Sequence, residues 1–182
     1  QVDGTQVDRQ SKVLTLYTHT AMNRTYGESF ITYDPRYQTL QIHESYTRQK
    51  DGNIIKTPAN ALVEVLPSAA ANAPAFNTLR EMVVVHTGLE LGATIYLDYS
   101  ITTKPGYLPG IQICRLLEHS SPVKEYEISI PVPRGQHLEY ALNNNKAKVS
   151  VTDSEGRKQV SWTLKNLPAL SREQQVAQLG GD

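Results

Sequence analysis

Between residues 25 and 58 the chain reads TYGESFITYDPRYQTLQIHESYTRQKDGNIIKTP, short apolar alternations cut at close intervals by turn residues. That rhythm constrains the fold more than any other feature. Gly27 breaks the chain, Phe30-Ile31-Thr32-Tyr33 reads as a short strand, and Asp34-Pro35-Arg36 reads as a turn. Leu40, Ile42 and Tyr46 share one face of the next strand. Glu44 interrupts that face, which places it near a sheet edge or opposite a partner. Lys50-Asp51-Gly52-Asn53 is a hairpin turn, because Gly52 reaches positive φ without steric cost. Ile54 and Ile55 open the return arm, and Pro58 ends it.

The same grammar continues on both sides. From Val7 to Thr18, Leu14 and Leu16 face one way and Val13, Thr15 and Tyr17 the other. Asp3-Gly4 is a hairpin signal with almost no arm before it, so the chain reads as a piece excised from something longer. Leu79 to His86 forms a strand and Leu89-Glu90-Leu91-Gly92 a turn. Ala93, Ile95, Leu97, Tyr99 and Ile101 then alternate with Thr94, Tyr96, Asp98 and Ser100, a period of two that no helix reproduces. Pro105 to Gly110 is a loop, and Ile111 to Leu117 is expected to be a strand containing Cys114. Tyr126, Ile128, Ile130 and Val132 alternate with Glu125, Glu127 and Ser129, and Pro131 and Pro133 put the end of that strand at a sheet edge. Leu138, Tyr140 and Leu142 are expected to form a short strand. Val149 and Val151 pair with Val160, Trp162 and Leu164 across Asp153-Ser154-Glu155-Gly156.

Helical signals are few. The segment ANALVEV fits either a strand or a helical turn, and the Ala-rich stretch beyond it is interrupted by Pro67 and Pro74. An irregular crossover follows, with room for no more than a short helix near 68–79. Ser171-Arg172-Glu173-Gln174 fits a capping box, so 171–179 is either a short helix or the start of a linker. About ten strands joined by short turns predict an all-β domain, a two-sheet antiparallel β-sandwich over 1–170, with 171–182 as a tail or linker start.

Charge and chemistry narrow the function. Lys plus Arg and Asp plus Glu both total 18, which lacks the basic excess that phosphate binding requires, so nucleic acid is not an expected partner. No apolar run approaches the roughly eighteen residues that a membrane span needs. A single cysteine excludes an internal disulfide. Cys114 lies five residues before His119, but its flanks Ile111, Ile113, Leu116 and Leu117 describe a buried small side chain rather than an activated thiol. His19, His43, His86, His119 and His137 show no metal-ligand spacing, and no metal or cofactor is expected. Glu125 and Glu127 share one strand face, with Glu139 near in sequence, and read as a solvated surface rather than a glycosidase pair. No catalytic residue is assigned. Tyr33, Tyr37 and Tyr107 stand in or beside turns, where exposed rings could stack on a sugar or a peptide. They are the candidate binding residues.

The order of these signals carries a resemblance. Tyr26-Gly27-Glu28, Ile31-Thr32-Tyr33-Asp34, Leu40-Gln41-Ile42 and Thr47 with Lys50-Asp51-Gly52 are followed by Gly88-Leu89-Glu90-Leu91-Gly92-Ala93-Thr94-Ile95-Tyr96-Leu97-Asp98-Tyr99. Trp162-Thr163-Leu164-Lys165-Asn166-Leu167-Pro168-Ala169-Leu170 closes the series. Over roughly residues 3–173 this resembles the bacterial domain of unknown function found N-terminal to transglutaminase-like domains. The resemblance implies a β-sandwich, a papain-like transglutaminase or protease domain downstream carrying a Cys-His-Asp triad, and a secreted, periplasmic or envelope location. No residue of this chain matches that triad. The expected function is a non-catalytic accessory domain whose partner is the downstream domain of the same polypeptide. The alternative is a module that binds envelope glycan or peptide.

Overall fold

The computed structural model describes residues 4–68, 78–107, 113–115, 119–133, 135, 137–142, 147–154 and 157–169. Two compact units divide the chain, Gln1–Ile111 and Gln112–Asp182. The described elements are strands β1 (Gln6–Thr15), β2 (Glu28–Tyr33), β3 (Gln38–Arg48), β4 (Ile54–Lys56), β5 (Leu62–Val65), β6 (Arg80–Val85), β7 (Thr94–Thr103), β8 (Val123–Pro133), β9 (Lys148–Ser154) and β10 (Arg157–Leu167). A π-helical turn, Ala21–Thr25, and a 3-10 turn, Ala59–Ala61, complete them. The architecture is all-β, and every pairing is antiparallel.

The first unit is a sandwich of two sheets, ordered β1-β7-β3-β4 and β2-β6-β5. Alternation builds its core: Ile31 and Val84 from one sheet meet Leu97 from the other, with Leu40, Ile42, Leu62, Met82, Tyr99 and Ile101 packed around them. Leu16 is buried while Val13 and Tyr17 are exposed, the two-faced pattern expected of that segment. β7 lies between β1 and β3, and on its polar face Asp98 and Ser100 are buried under Arg9 from β1 and His43 from β3. Pairing between β3 and β7 shifts between Ile42 and Glu44, leaving His43 as the extra residue of a bulge. β4 pairs only with Tyr46–Arg48, so Glu44 lies beyond it, on the open edge of β3.

The hairpin at Gly52, with φ +90°, forms as the sequence predicts. Its turn is tied to the loop before β7: Gln49 Nε2 donates to the Gly88 carbonyl at 3.2 Å, and the Lys50 amide to Glu90 Oε1 at 2.7 Å. The segment ANALVEV is a 3-10 turn and then a strand, so both readings hold in succession. The helices expected near 68–79 and 171–179 fall mainly on 69–77 and 170–182, outside the described residues.

Among its described residues the second unit carries one sheet, β8-β10-β9, with β8 at an edge as its prolines require. One face packs Val132, Val160 and Trp162 with Ile128, Ile130, Leu138, Leu142 and Ala147. The other is polar, and Glu125 pairs with Lys165 at 2.9 Å on it. Two expectations are corrected here. Residues 137–142 form no strand; Leu138 and Leu142 instead cover the Trp162 cluster, and Tyr140 meets Trp162 edge-on at 4.9 Å. Cys114 is exposed rather than buried, because residues 113–115 have no regular structure and no ladder draws the thiol inward. Among the described residues no helix is long and apolar enough to cross a membrane.

Candidate functional site

The Asp34-Pro35-Arg36 turn organises the first candidate surface. Asp34 is buried, and its carboxylate closes an Asx-type turn by accepting from the Arg36 amide at 3.1 Å. The Arg36 side chain folds back on the same carboxylate, Nε to Oδ1 at 3.2 Å and Nη2 to Oδ2 at 2.9 Å, while Thr78 Oγ1 donates to Oδ2 at 3.3 Å. The guanidinium bond holds the Asp34 carboxyl below the usual carboxylate range. So clamped, the guanidinium lies over the Tyr37 ring, 5.2 Å from its centroid.

Tyr37 in turn stacks on Tyr107, centroids 4.4 Å apart and planes inclined by 17°. The loop after β7 supplies Tyr107. It is fastened to the turn by the Lys104 amide donating to the Tyr37 carbonyl at 2.9 Å and by Lys104 Nζ donating to the Arg36 carbonyl at 3.0 Å. Tyr37 and Tyr107 remain 37% and 40% exposed. Two of the three candidate tyrosines therefore form one aromatic face with a fixed cation beside it.

Tyr33 is a correction. It is 8% exposed, and its hydroxyl donates to Glu64, which also pairs with Arg80. Burial first, and Glu64 second, push its phenol up to about 12. Its ring shares the inward side of β2 with Ile31, so it packs in the sandwich and offers no stacking surface.

A second site was not foreseen. Between the edge strands β1 and β2 lies a groove of about 310 Å³, with Gln10, Lys12, Ser29, Ile31, Leu97 and Tyr99 among its lining residues. Lys12 stands between Gln10 and Leu14 on the inward side of β1. Its side chain keeps contact with solvent, while its ammonium lies 5.2 Å from the Tyr26 ring centroid. Burial of that end lowers its pKa below the ordinary lysine value.

Ser29 Oγ and His86 Nε2 share a hydrogen bond of 2.8 Å. His86 is 5% exposed, and burial together with the nearby Lys12 charge lowers its pKa to about 4. A hydroxyl on an imidazole is the first requirement of a nucleophile–base pair. A base is effective when its pKa lies near the working pH, and this one lies far below neutrality. The pair is better suited to aiming the Ser29 hydroxyl than to deprotonating it. The available signal was Lys12, a charge at an inward position of an alternating strand.

Cys114 makes no hydrogen bond to His119 among the described residues; His119 stacks on Tyr126 with centroids 6.2 Å apart. Among the described residues no three His, Cys, Asp or Glu side chains gather as a metal site.

Comparison with known proteins places this geometry in a family. The curated proteins contain no match to the sequence. A crystal structure at 2.00 Å of a protein from Parabacteroides distasonis ATCC 8503, described as "a putative protease", is similar with a TM-score of 0.90 and 63% sequence identity. The similarity covers 94% of this chain and 34% of that one, so the chain spans about a third of that protein's length. The family model DUF3857, a domain of unknown function with a solved structure, matches residues 2–171. The chain belongs to the DUF3857 family.

Proposed function

We propose that this chain is a non-catalytic accessory domain of a longer cell-envelope protein, acting on a transglutaminase-like or protease domain of the same polypeptide. The observation that carries the reading is its correspondence, at 63% identity, to one third of a chain described as "a putative protease". Such a domain contributes contact and positioning rather than bond breaking. The clamped Arg36, Tyr37 and Tyr107 face, fixed by Asp34 and Lys104, suits that role because rigid aromatics and arginine bind at low entropic cost. The test compares the longer protein with and without this domain in a peptidase or transamidation assay, beside the 182-residue chain alone. Activity in the isolated chain that is lost on Cys114→Ala would refute the reading.

One specific observation favours a second reading. Two stacked, half-exposed tyrosines with a guanidinium alongside are also a platform for envelope glycan or peptide. Glycan and peptide arrays probed with the chain, and with Tyr37→Ala and Tyr107→Ala, distinguish the two. Binding lost in both variants supports the module, and broad silence supports the accessory role.

A further inference from the structure

The groove between β1 and β2 presents a cation that has no carboxylate partner among the described residues. Lys12 has the Tyr26 ring at 5.2 Å, whereas Arg9, Arg36, Arg80 and Lys165 each reach an acid. An inward lysine on an edge strand can serve simply to block pairing with another chain. That role requires an ammonium free in water. Here the ammonium is drawn toward a ring and a groove, and it is partly desolvated.

Three of the groove's other polar groups are held in place. Neutral His86 with its proton on Nε2, the tautomer that leaves no N–H on the partnerless buried Nδ1, donates to Ser29 Oγ at 2.8 Å and keeps the serine proton for a ligand, and the Tyr99 hydroxyl donates to Gln10 Oε1 at 2.8 Å. Ile31 and Leu97 supply apolar lining. A cation and an aimed hydroxyl beside aliphatic carbon form the pattern that receives a carboxylate bearing an apolar substituent. Glu28, also on the lining, disfavours a second negative charge on the ligand.

We propose that this groove is a binding site for a monocarboxylate carried on a peptide-sized apolar group, with Lys12 as counter-ion and Ser29 as hydroxyl donor. Two sources share that chemistry: the C-terminal carboxylate of a peptide and an acidic side chain within one. The site is distinct from the Tyr37–Tyr107 face and does not depend on its function.

The test titrates the ¹⁵N-labelled 182-residue chain with acetyl-leucine, with acetyl-leucinamide and with the amide of acetyl-glutamic acid, following backbone amide shifts. Acetyl-leucine should shift the amides of residues 10–12 and 28–31 saturably, and acetyl-leucinamide should bind at least about tenfold more weakly, as the loss of a charge-assisted bond implies. Lys12→Met should weaken acetyl-leucine to the same degree, and Lys12→Arg should retain it. Tighter binding of acetyl-leucine than of the glutamate probe assigns a chain terminus, and the reverse assigns an acidic side chain. Equal binding of acid and amide, undiminished binding by a folded Lys12→Met, or no saturable shift with either acid overturns the proposal. The acid–amide comparison on the unaltered chain stands even if a variant misfolds.

Discussion

Arg9 and Asp98 meet diagonally across the β1–β7 ladder. Arg9 stands opposite Ser100 and Asp98 opposite Ser11, yet Nε donates to Oδ1 at 3.1 Å and Nη2 to Oδ2 at 2.6 Å. Asp98 is 5% exposed while the Arg9 side chain lies largely in water, so the exposed partner shields the buried one. The guanidinium bond holds the Asp98 carboxyl below its ordinary value of 3.8. Removing one member of such a pair strands the other, which costs more than removing both. Arg9→Leu should therefore lower the urea midpoint more than Arg9→Leu with Asp98→Leu. A double-mutant cycle in urea measures this, and a double variant no more stable than Arg9→Leu would refute it.

His86 gives the stability curve an acid limb. Burial first, and the Lys12 charge second, lower its pKa from 6.5 to about 4. As pH falls, the unfolded chain takes up this proton before the folded chain does. The contribution is complete above pH 6.5, declines between 6.5 and about 4, and is flat below that. At about 1.36 kcal/mol per pH unit, the loss across the window is about 3 kcal/mol at most. His86→Gln keeps a partner for Ser29 and should flatten this limb, leaving the further loss below 3.8 that Asp34 and Asp98 produce. Urea denaturation at intervals of pH is the measurement; an unchanged slope in the variant would count against the assignment.

Tyr33 offers a spectroscopic check on the inner side of β2. Its pKa of about 12, against an ordinary 10.0, arises from burial first and from the Glu64 bond and charge second. Glu64→Gln removes the charge and leaves only a weaker, neutral acceptor for the hydroxyl. The Tyr33 phenol should then titrate lower than in the native chain but still above 10, because the ring remains buried. Tyrosinate absorbance, taken as a difference against Tyr33→Phe, follows it. A return to the ordinary value would mean that Glu64, and not burial, governs the group.

β7 shows both what the sequence makes legible and where it stops. The alternation from Ala93 to Ile101 identifies the strand and its core face, because side-chain direction there is a local property. The burial of Asp98 and Ser100 on the opposite face depends on β1 and β3 lying on either side, a long-range fact. Cys114 fails for the same reason. Apolar neighbours predict a buried strand residue, but burial needs a ladder partner, and residues 113–115 have no regular structure. Tyr33, Tyr37 and Tyr107 looked alike as turn-adjacent rings. Parity with Ile31 separates Tyr33, whereas the stacking of Tyr37 on Tyr107 joins residues seventy positions apart. The groove was hidden because β1 and β2 belong to different sheets, and only the stacking of those sheets brings Lys12 near Ser29.

Gly52 and Gly88 separate backbone strain from crowding, since both hold positive φ, +90° and +71°. A Cβ on Gly52 would meet nothing within 4 Å, whereas one on Gly88 would lie 2.3 Å from Ile55 Cδ1 in β4. Gly52→Ala should cost about 1 kcal/mol, the left-handed penalty alone. Gly88→Ala adds the displacement of Ile55 and should cost about 2–3 kcal/mol. Ile55→Ala removes the atom in the way, so combining it with Gly88→Ala should destabilise less than the two changes summed. Urea denaturation of the four variants reads all these differences. Equal costs at the two glycines, with additive behaviour at Ile55, would mean that the loop before β7 moves aside instead of resting on the hairpin.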